Sequence, residues 1–172
     1  SLATAQAVVT HSLKNAVDVK DALTRVTGRI QAMSAAQDTL TKDNLTSADL
    51  RSVVEQALDP FKSYDIRYGG PRIVLDERGV SAMTLALYEL ATNSLKYGAL
   101  SDERGSVTIS WEITGAASDR FTFHWSEMGG PKVKPRARQG FGSTIIEKVT
   151  ASDMNGTARL LFKPDGVLFE LE

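Results

Sequence analysis

The stretch ALYELATNSLKYGAL, residues 86–100, combines an apolar helical stripe with a stripe of polar groups. Glu89, Asn93 and Lys96 follow one another at spacings of four and three residues. At ~100° per residue, this spacing places an acid, an amide and a cation within about 60° of arc on one helix face. The apolar residues take the neighbouring arc, so the stretch predicts a helix with one buried side and one polar side.

This polar face suits a nucleotide that carries a metal ion. The amide oxygen of Asn93 is a suitable ligand for Mg²⁺, and the Lys96 cation could offset phosphate charge. The alternative is a solvated helix face whose side-chain pairs contribute only about 0.2–0.5 kcal/mol each. The helical pattern runs from about Glu77 to Tyr97, and Gly98 is a plausible stop.

Two glycine-containing segments follow later in the chain. In WSEMGGP, Glu127 stands at a predicted strand end before Gly129 and Gly130, where an acid could accept a hydrogen bond from an exocyclic amine. In GFGS, residues 140–143, a helix start offers free N–H groups to phosphate. Taken alone, Gly-Gly-Pro is usually only a turn, and a single Gly-x-Gly at a helix start is weak evidence for phosphate binding. The loop between them contains four basic residues and no acid: Lys132, Lys134, Arg136 and Arg138.

Composition limits the kinds of partner. The 172 residues carry a net charge of −1 and no cysteine, which excludes a global field for nucleic acid, a disulfide framework and a thiolate metal site. Apolar runs are shorter than the ~20 residues of a membrane span. We therefore expect no nucleic-acid partner, no membrane span and a cytoplasmic location.

The first 44 residues predict a helical hairpin joined near residues 17–20. Its second helix has an apolar stripe at spacings of three, four and seven residues. Such a hairpin has too little core to stand alone, which favours a dimeric bundle or packing on the rest of the chain. The stripe consists of Leu23, Val26, Ile30, Met33 and Leu40.

Residues 45–172 predict a second domain that mixes helices and strands. A helix capped by Ser47 precedes two short strand pieces around a Gly-Gly-Pro turn. SVTISWEI and RFTFHWSE alternate as half-buried strands do, GSTIIEKVTA predicts a helix, and the chain closes with a hairpin. The fold class is therefore α+β, with a helical hairpin before a sandwich whose sheet is mostly antiparallel.

The order of these segments resembles the HWE-type sensor histidine kinases. The matching segments are ELATNSLKYGALS (the N box), WSEMGGP (the first glycine box) and GFGSTIIE (the second glycine box). The resemblance implies a Bergerat-type ATP-binding domain, with helices on one face of a mixed sheet. It also implies that residues 1–44 are part of a dimerisation and phosphotransfer hairpin.

The resemblance also implies roles for single residues. Asn93 would hold Mg²⁺ against the phosphates of ATP, and Glu89 would polarise water or help to position the metal. Glu127 would recognise the adenine amine. The other implied nucleotide contacts are Lys96 and Tyr97 near phosphate and sugar, Gly129 and Gly130 below the base, Gly140, Phe141, Gly142 and Ser143 around the phosphates, and Arg136 and Arg138 on a lid.

One position departs from the family pattern, and one histidine depends on how the chain is aligned with that pattern. Tyr88 stands where the family has the histidine of its N box, which puts the role of that histidine in doubt here. His11 looks like a phosphate acceptor in HSLKN, but SLATAQA at residues 1–7 resembles the segment that follows the family's acceptor motif. In that register the acceptor histidine precedes Ser1 and His11 is a bystander. The alternative register makes His11 the acceptor and leaves the match of SLATAQA a coincidence.

The implied function is a kinase that moves the γ-phosphoryl group of ATP to a histidine and then to an aspartate on a response-regulator receiver domain. An upstream sensor domain and a homodimer formed through the hairpin would be its further partners. Two alternatives stay open. One is an ATPase of the same fold that uses Glu89 to activate water, and the other is a phosphotransfer or scaffold protein that has lost catalysis.

Overall fold

A five-stranded mixed sheet with helices packed on it forms most of the structure. The structure is a computed structural model, and it describes residues 9–10, 12–13, 16–41, 46–115, 120–132, 143 and 145–172. In chain order its elements are α1 (Val19–Thr41), β1 (Ser47–Asp49), α2 (Leu50–Leu58), a 3₁₀ turn (Asp59–Phe61), β2 (Ile66–Gly69), β3 (Val74–Asp76), α3 (Glu77–Tyr97), a 3₁₀ turn (Ala99–Ser101), β4 (Ser106–Thr114), β5 (Arg120–Met128), a π-helical turn (Ile145–Val149), α4 (Thr150–Asp153), β6 (Ala158–Lys163) and β7 (Gly166–Leu171).

The sheet has the strand order β2-β4-β5-β7-β6. Strand β2 pairs with β4 in parallel, and the other neighbours are antiparallel. Strands β1 and β3 form a separate antiparallel pair. The predicted α+β class with a mostly antiparallel sheet is confirmed.

The core lies between α3 and one face of the sheet. Phe123 and Trp125 alternate with polar residues along β5 and are fully buried, as the period of two predicts. Met83 and Leu87 of α3 belong to the same core cluster. Each such buried side chain contributes about 1.5–3 kcal/mol, so the core fixes α3 firmly against the sheet.

Helix α3 has the predicted bounds, Glu77–Tyr97. The side chain of Asp76 caps it by accepting a hydrogen bond from the Gly79 N–H at 2.8 Å. Gly98 ends it, and the Gly98 N–H donates to the Ser94 carbonyl.

Two local predictions need correction. Ser47 lies in strand β1, and Asp49 caps the following helix by accepting from the Arg51 N–H. The helix after Ser143 begins with a π-helical turn, and the Thr150 hydroxyl that follows this turn donates to the Ile145 carbonyl at 3.1 Å. The two strand pieces around Gly-Gly-Pro formed, with β2 joining β4 and β3 joining β1.

Helix α1 packs on α2 and α3 with only part of the predicted stripe, since Met33 is half-buried against Ala32, Leu85 and Ile145. Leu23 and Ile30 of the predicted stripe are 62% and 47% exposed. The buried residues are instead a stripe of small side chains with one arginine: Ala22, Arg29, Ala32 and Ala36. Small side chains let the two helix backbones approach closely, so they take the contact with α3.

Within the described residues, no helix combines the length and the apolar character needed to cross a bilayer.

Candidate active site

The polar face of α3 exists as the sequence predicts. Glu89 is buried, Asn93 is half-buried, and Lys96 and Tyr97 are exposed. Side chains three or four residues apart on a helix have Cβ atoms about 5–6 Å apart. The face therefore offers an amide and a cation to a ligand at its outer end, and an acid at its inner end.

The carboxylate of Glu89 is held by an arginine of the N-terminal helix. Arg29 Nε donates to Glu89 Oε1 at 2.5 Å, and Arg29 Nη2 donates to Oε2 at 2.8 Å. Both side chains are only 6% exposed. Arg29 Nη1 also donates to the buried Ser12 hydroxyl at 2.7 Å. Fork-to-fork pairs of this kind are the stronger ion pairs, since both oxygens receive charged donors.

The neighbouring residue pair makes a second contact between the same helices. Gly28 lies against the Tyr88 hydroxyl so closely that a Cβ atom at position 28 would overlap it. Tyr88 also packs on Phe61, with ring centroids 6.0 Å apart. Burial raises the pKa of the Tyr88 phenol, and the nearby Glu89 charge acts in the same direction. The residue that departs from the family pattern is therefore one that contacts α1.

Helix α1 follows the polar face of α3 over several turns. The pKa of Asp21 is lowered, mainly by its hydrogen bond with Arg25 and to a smaller extent by Lys96 of α3. Ala32, further along α1, shares a small apolar cluster with Leu85 and Ile145. The two helices thus run antiparallel, with Glu89 at their interface.

Glu127 is buried where strand β5 meets the end of α3. Its Oε2 accepts from the Ala99 N–H at 2.9 Å, and its Oε1 accepts from the Trp125 indole N–H at 3.2 Å. Burial raises the pKa of the carboxyl, and the hydrogen bonds from Ala99, Trp125 and Ser94 oppose that shift. A carboxylate has about four acceptor positions, so these contacts leave room for a base amine. That role stays a prediction.

The two glycines after Glu127 have packing reasons of their own. Gly129 has φ +75°, and a Cβ there would stand 2.6 Å from the Arg104 carbonyl oxygen. A Cβ on Gly130 would stand 2.5 Å from the Cα of Ala99. Both positions therefore require glycine to bring the first glycine box against the segment that follows α3, whether or not a base lies above them.

The second glycine box is described only at its end. Ser143 is buried and helical. The other predicted nucleotide contacts of this region lie outside the described residues: Arg136, Arg138, Gly140, Phe141 and Gly142. His11 lies outside the described residues as well.

The described residues contain no cluster of three or more His, Cys, Asp or Glu side chains suited to a metal. Asn93 is a single oxygen donor, which fits Mg²⁺, because this ion is commonly bound through one or two protein oxygens together with substrate phosphates.

Sequence reasoning missed Arg29, Ser12 and Gly28 as parts of this site. Their signal was present as a charged residue within a stripe of alanines at helical spacing. The apolar stripe next to it, with larger side chains, was the stronger pattern.

Comparison with known proteins agrees with this geometry. Residues 1–72 match the HWE histidine kinase family. A blue-light-activated histidine kinase of Brucella anthropi is 36% identical over 175 residues, which span 99% of this chain and 36% of that protein. The chain is similar to the HWE histidine kinases. The equivalent kinase of Brucella ovis is 35% identical over the same shares of both chains. The chain thus spans about a third of the length of the curated relatives that it matches.

Solved structures show the same fold. The histidine kinase domain of a blue-light-activated kinase from Erythrobacter litoralis superposes with a TM-score of 0.65 at 10% identity, over 85% of this chain and 72% of that one. The catalytic domain of the histidine kinase ThkA superposes with a TM-score of 0.55 at 16% identity, over 73% and 94% of the two chains. At such identities the likeness is one of fold.

Proposed function

We propose that this chain binds Mg-ATP and transfers the γ-phosphoryl group to a histidine, from which it passes to an aspartate of a response-regulator receiver domain. Similarity to the HWE histidine kinases supports the kinase reaction. The polar face of α3, with Asn93 half-buried and Lys96 exposed one turn further on, supports the nucleotide site.

In this proposal the residues of the chain mainly position the phosphates. Asn93 holds the metal ion, Lys96 offsets phosphate charge and Glu127 accepts a hydrogen bond from the adenine amine. When bound, Mg²⁺ supplies neutralisation of the charge on the β- and γ-phosphate oxygens. Phosphoryl transfer needs little covalent chemistry from the protein, so fixed charges and geometry are the main requirement.

The observation that favours a kinase over an ATPase is the pair between Arg29 and Glu89. Both carboxylate oxygens of Glu89 accept hydrogen bonds from the guanidinium group. A carboxylate whose two oxygens both accept hydrogen bonds from one guanidinium group is fixed in orientation by that partner. Glu89 therefore fits a positioning role better than the activation of a hydrolytic water.

Calorimetric titration tests the nucleotide site. We expect Mg-ATP to bind the wild-type chain and not the Asn93→Ala variant, while circular dichroism stays the same. Ser81→Ala, on the same helix about three turns away, is the control and should bind as the wild type does. A wild-type chain that binds no nucleotide would favour the scaffold alternative.

The homodimer and the sensor domain are further parts of this proposal. Leu23 and Ile30 leave an exposed apolar strip on α1, which supports association through the hairpin. Light scattering of the wild type and of a Leu23→Glu variant tests it: a dimer that becomes a monomer supports the interface. Equal masses argue against it.

A further inference from the structure

The guanidinium group of Arg29 reaches the candidate nucleotide site from outside the ATP-binding domain. It lies on α1, whereas Glu89 lies on α3, sixty residues later in the chain. The pair is buried, and the Ser12 hydroxyl takes a third hydrogen bond from the same guanidinium. Glu89 therefore keeps its position only while α1 is docked on α3.

Without that cation, Glu89 would be an unpaired buried carboxylate one helical turn from Asn93. The interaction between two charges grows several-fold as the effective dielectric constant falls from that of water to that of a protein surface. A bare carboxylate here would repel the phosphate nearest to it. In the predicted binding mode that phosphate is the γ-phosphate, since Asn93 holds the metal against the terminal phosphates.

We propose that Arg29 is a positioning residue for the γ-phosphate: it neutralises and orients Glu89, so that the docked N-terminal helix sets the preference of the site for ATP over ADP. The inference rests on the proposed function and adds to it a residue from the hairpin. Arg29 acts through Glu89, because its side chain is buried and its Nε and Nη2 atoms both donate to that carboxylate.

A consequence follows from thermodynamic linkage. If docking of α1 favours the γ-phosphate, then the γ-phosphate favours docking of α1 by the same factor. The contact between Gly28 and Tyr88 adjoins the ion pair and holds the same two helices together. Hydrolysis or transfer of the γ-phosphoryl group would therefore weaken the hold of the ATP-binding domain on the hairpin.

The experiment measures the affinities of the 172-residue chain for Mg-ATP and Mg-ADP by calorimetry. Arg29→Gln exposes the Glu89 charge to the nucleotide and should lower the ATP:ADP affinity ratio about tenfold, a change of about 1.4 kcal/mol. Glu89→Gln leaves the Arg29 cation unbalanced and should raise the ratio. The double variant should return it to within about threefold of wild type.

Two further variants sharpen the comparison. Arg120→Gln removes the same charge, but its partner is the exposed Glu172 at 2.6 Å, so the ratio should not change. Arg29→Lys keeps the charge and should keep most of the preference. Thermal melts show which variants are folded. If only one of Arg29→Gln and Glu89→Gln folds, that variant still tests the inference, because the expected direction of its shift in the ATP:ADP ratio is defined.

If the pair is purely structural, a variant should change the Mg-ATP and Mg-ADP affinities alike, or Arg29→Gln and Glu89→Gln should shift the ATP:ADP ratio in the same direction. Either result overturns the inference while the proposed function stands. If the wild type binds neither nucleotide, the proposed function itself fails, and the inference fails with it.

Discussion

The Trp125 indole N–H donates to the Glu127 carboxylate at 3.2 Å, between residues on the same face of strand β5. The other oxygen of that carboxylate receives the Ala99 N–H from the segment after α3. One acid thus ties the end of the strand to the end of the helix. The Trp-x-Glu spacing is explained by this bond, because residues two apart in a strand point to the same side.

Glu127 should make stability depend on pH. Burial raises the pKa of its carboxyl, so between the ordinary and the raised value the folded state binds more protons than the unfolded state. The stability that this contributes is present below the ordinary pKa of glutamate and is lost as pH rises through the raised value. Glu127→Gln has no such titration. We expect the free energy of unfolding of the variant, minus that of the wild type, to grow with pH in this window.

Urea denaturation at a series of pH values measures this difference, with Glu112→Gln on the exposed side of β4 as the control. A difference for Glu127→Gln that does not change with pH would contradict the assignment.

Gly28→Ala tests the fit between α1 and Tyr88. Alanine is favoured over glycine inside a helix by about 0.8–1.0 kcal/mol, but a Cβ at position 28 overlaps the Tyr88 hydroxyl, and overpacking costs about 1–3 kcal/mol. We expect Gly28→Ala to destabilise the wild type and to stabilise a Tyr88→Ala background. Chemical denaturation of the four proteins gives the coupling energy, and equal effects in both backgrounds would show that the contact is not made.

The pair between Arg29 and Glu89 should show a strong coupling in stability as well. Substitution of either partner alone, as Arg29→Met or Glu89→Met, leaves the other charge buried and unpaired. It should lower the free energy of unfolding by about 3–5 kcal/mol. Replacement of both by Met should recover most of that loss, since an apolar pair of similar volume is often neutral or stabilising. Thermal unfolding of both single variants and the double variant measures this, and additive losses would argue against the pair.

Lys96→Ala should weaken Mg-ATP binding more than the same substitution at a remote lysine does. The side chain is exposed on the polar face of α3, one turn beyond Asn93. We expect a loss of about tenfold, the size of one charged hydrogen bond near the lower end of 1.5–3 kcal/mol. Lys163→Ala, exposed at the closing hairpin, removes the same charge and should leave the affinity unchanged. An equal effect of both variants would mean that only net charge matters.

The sequence by itself determined the elements whose signals are local. Helix α3, with its polar face of Glu89, Asn93 and Lys96, has the predicted bounds. The alternating strands and the closing hairpin also formed as predicted. Periodicity is sufficient there, because each element has a single apolar face and one large core to pack on.

Only the tertiary structure decided which face of α1 is buried and what Glu89 contacts. The apolar stripe with Leu23 and Ile30 was the stronger local pattern, yet the alanine stripe with Arg29 takes the contact with α3. Close approach of two helices favours small side chains, and a buried carboxylate on one helix requires a cation from the other. Neither condition is visible along one segment, since the two partners lie sixty residues apart and meet only in the folded chain.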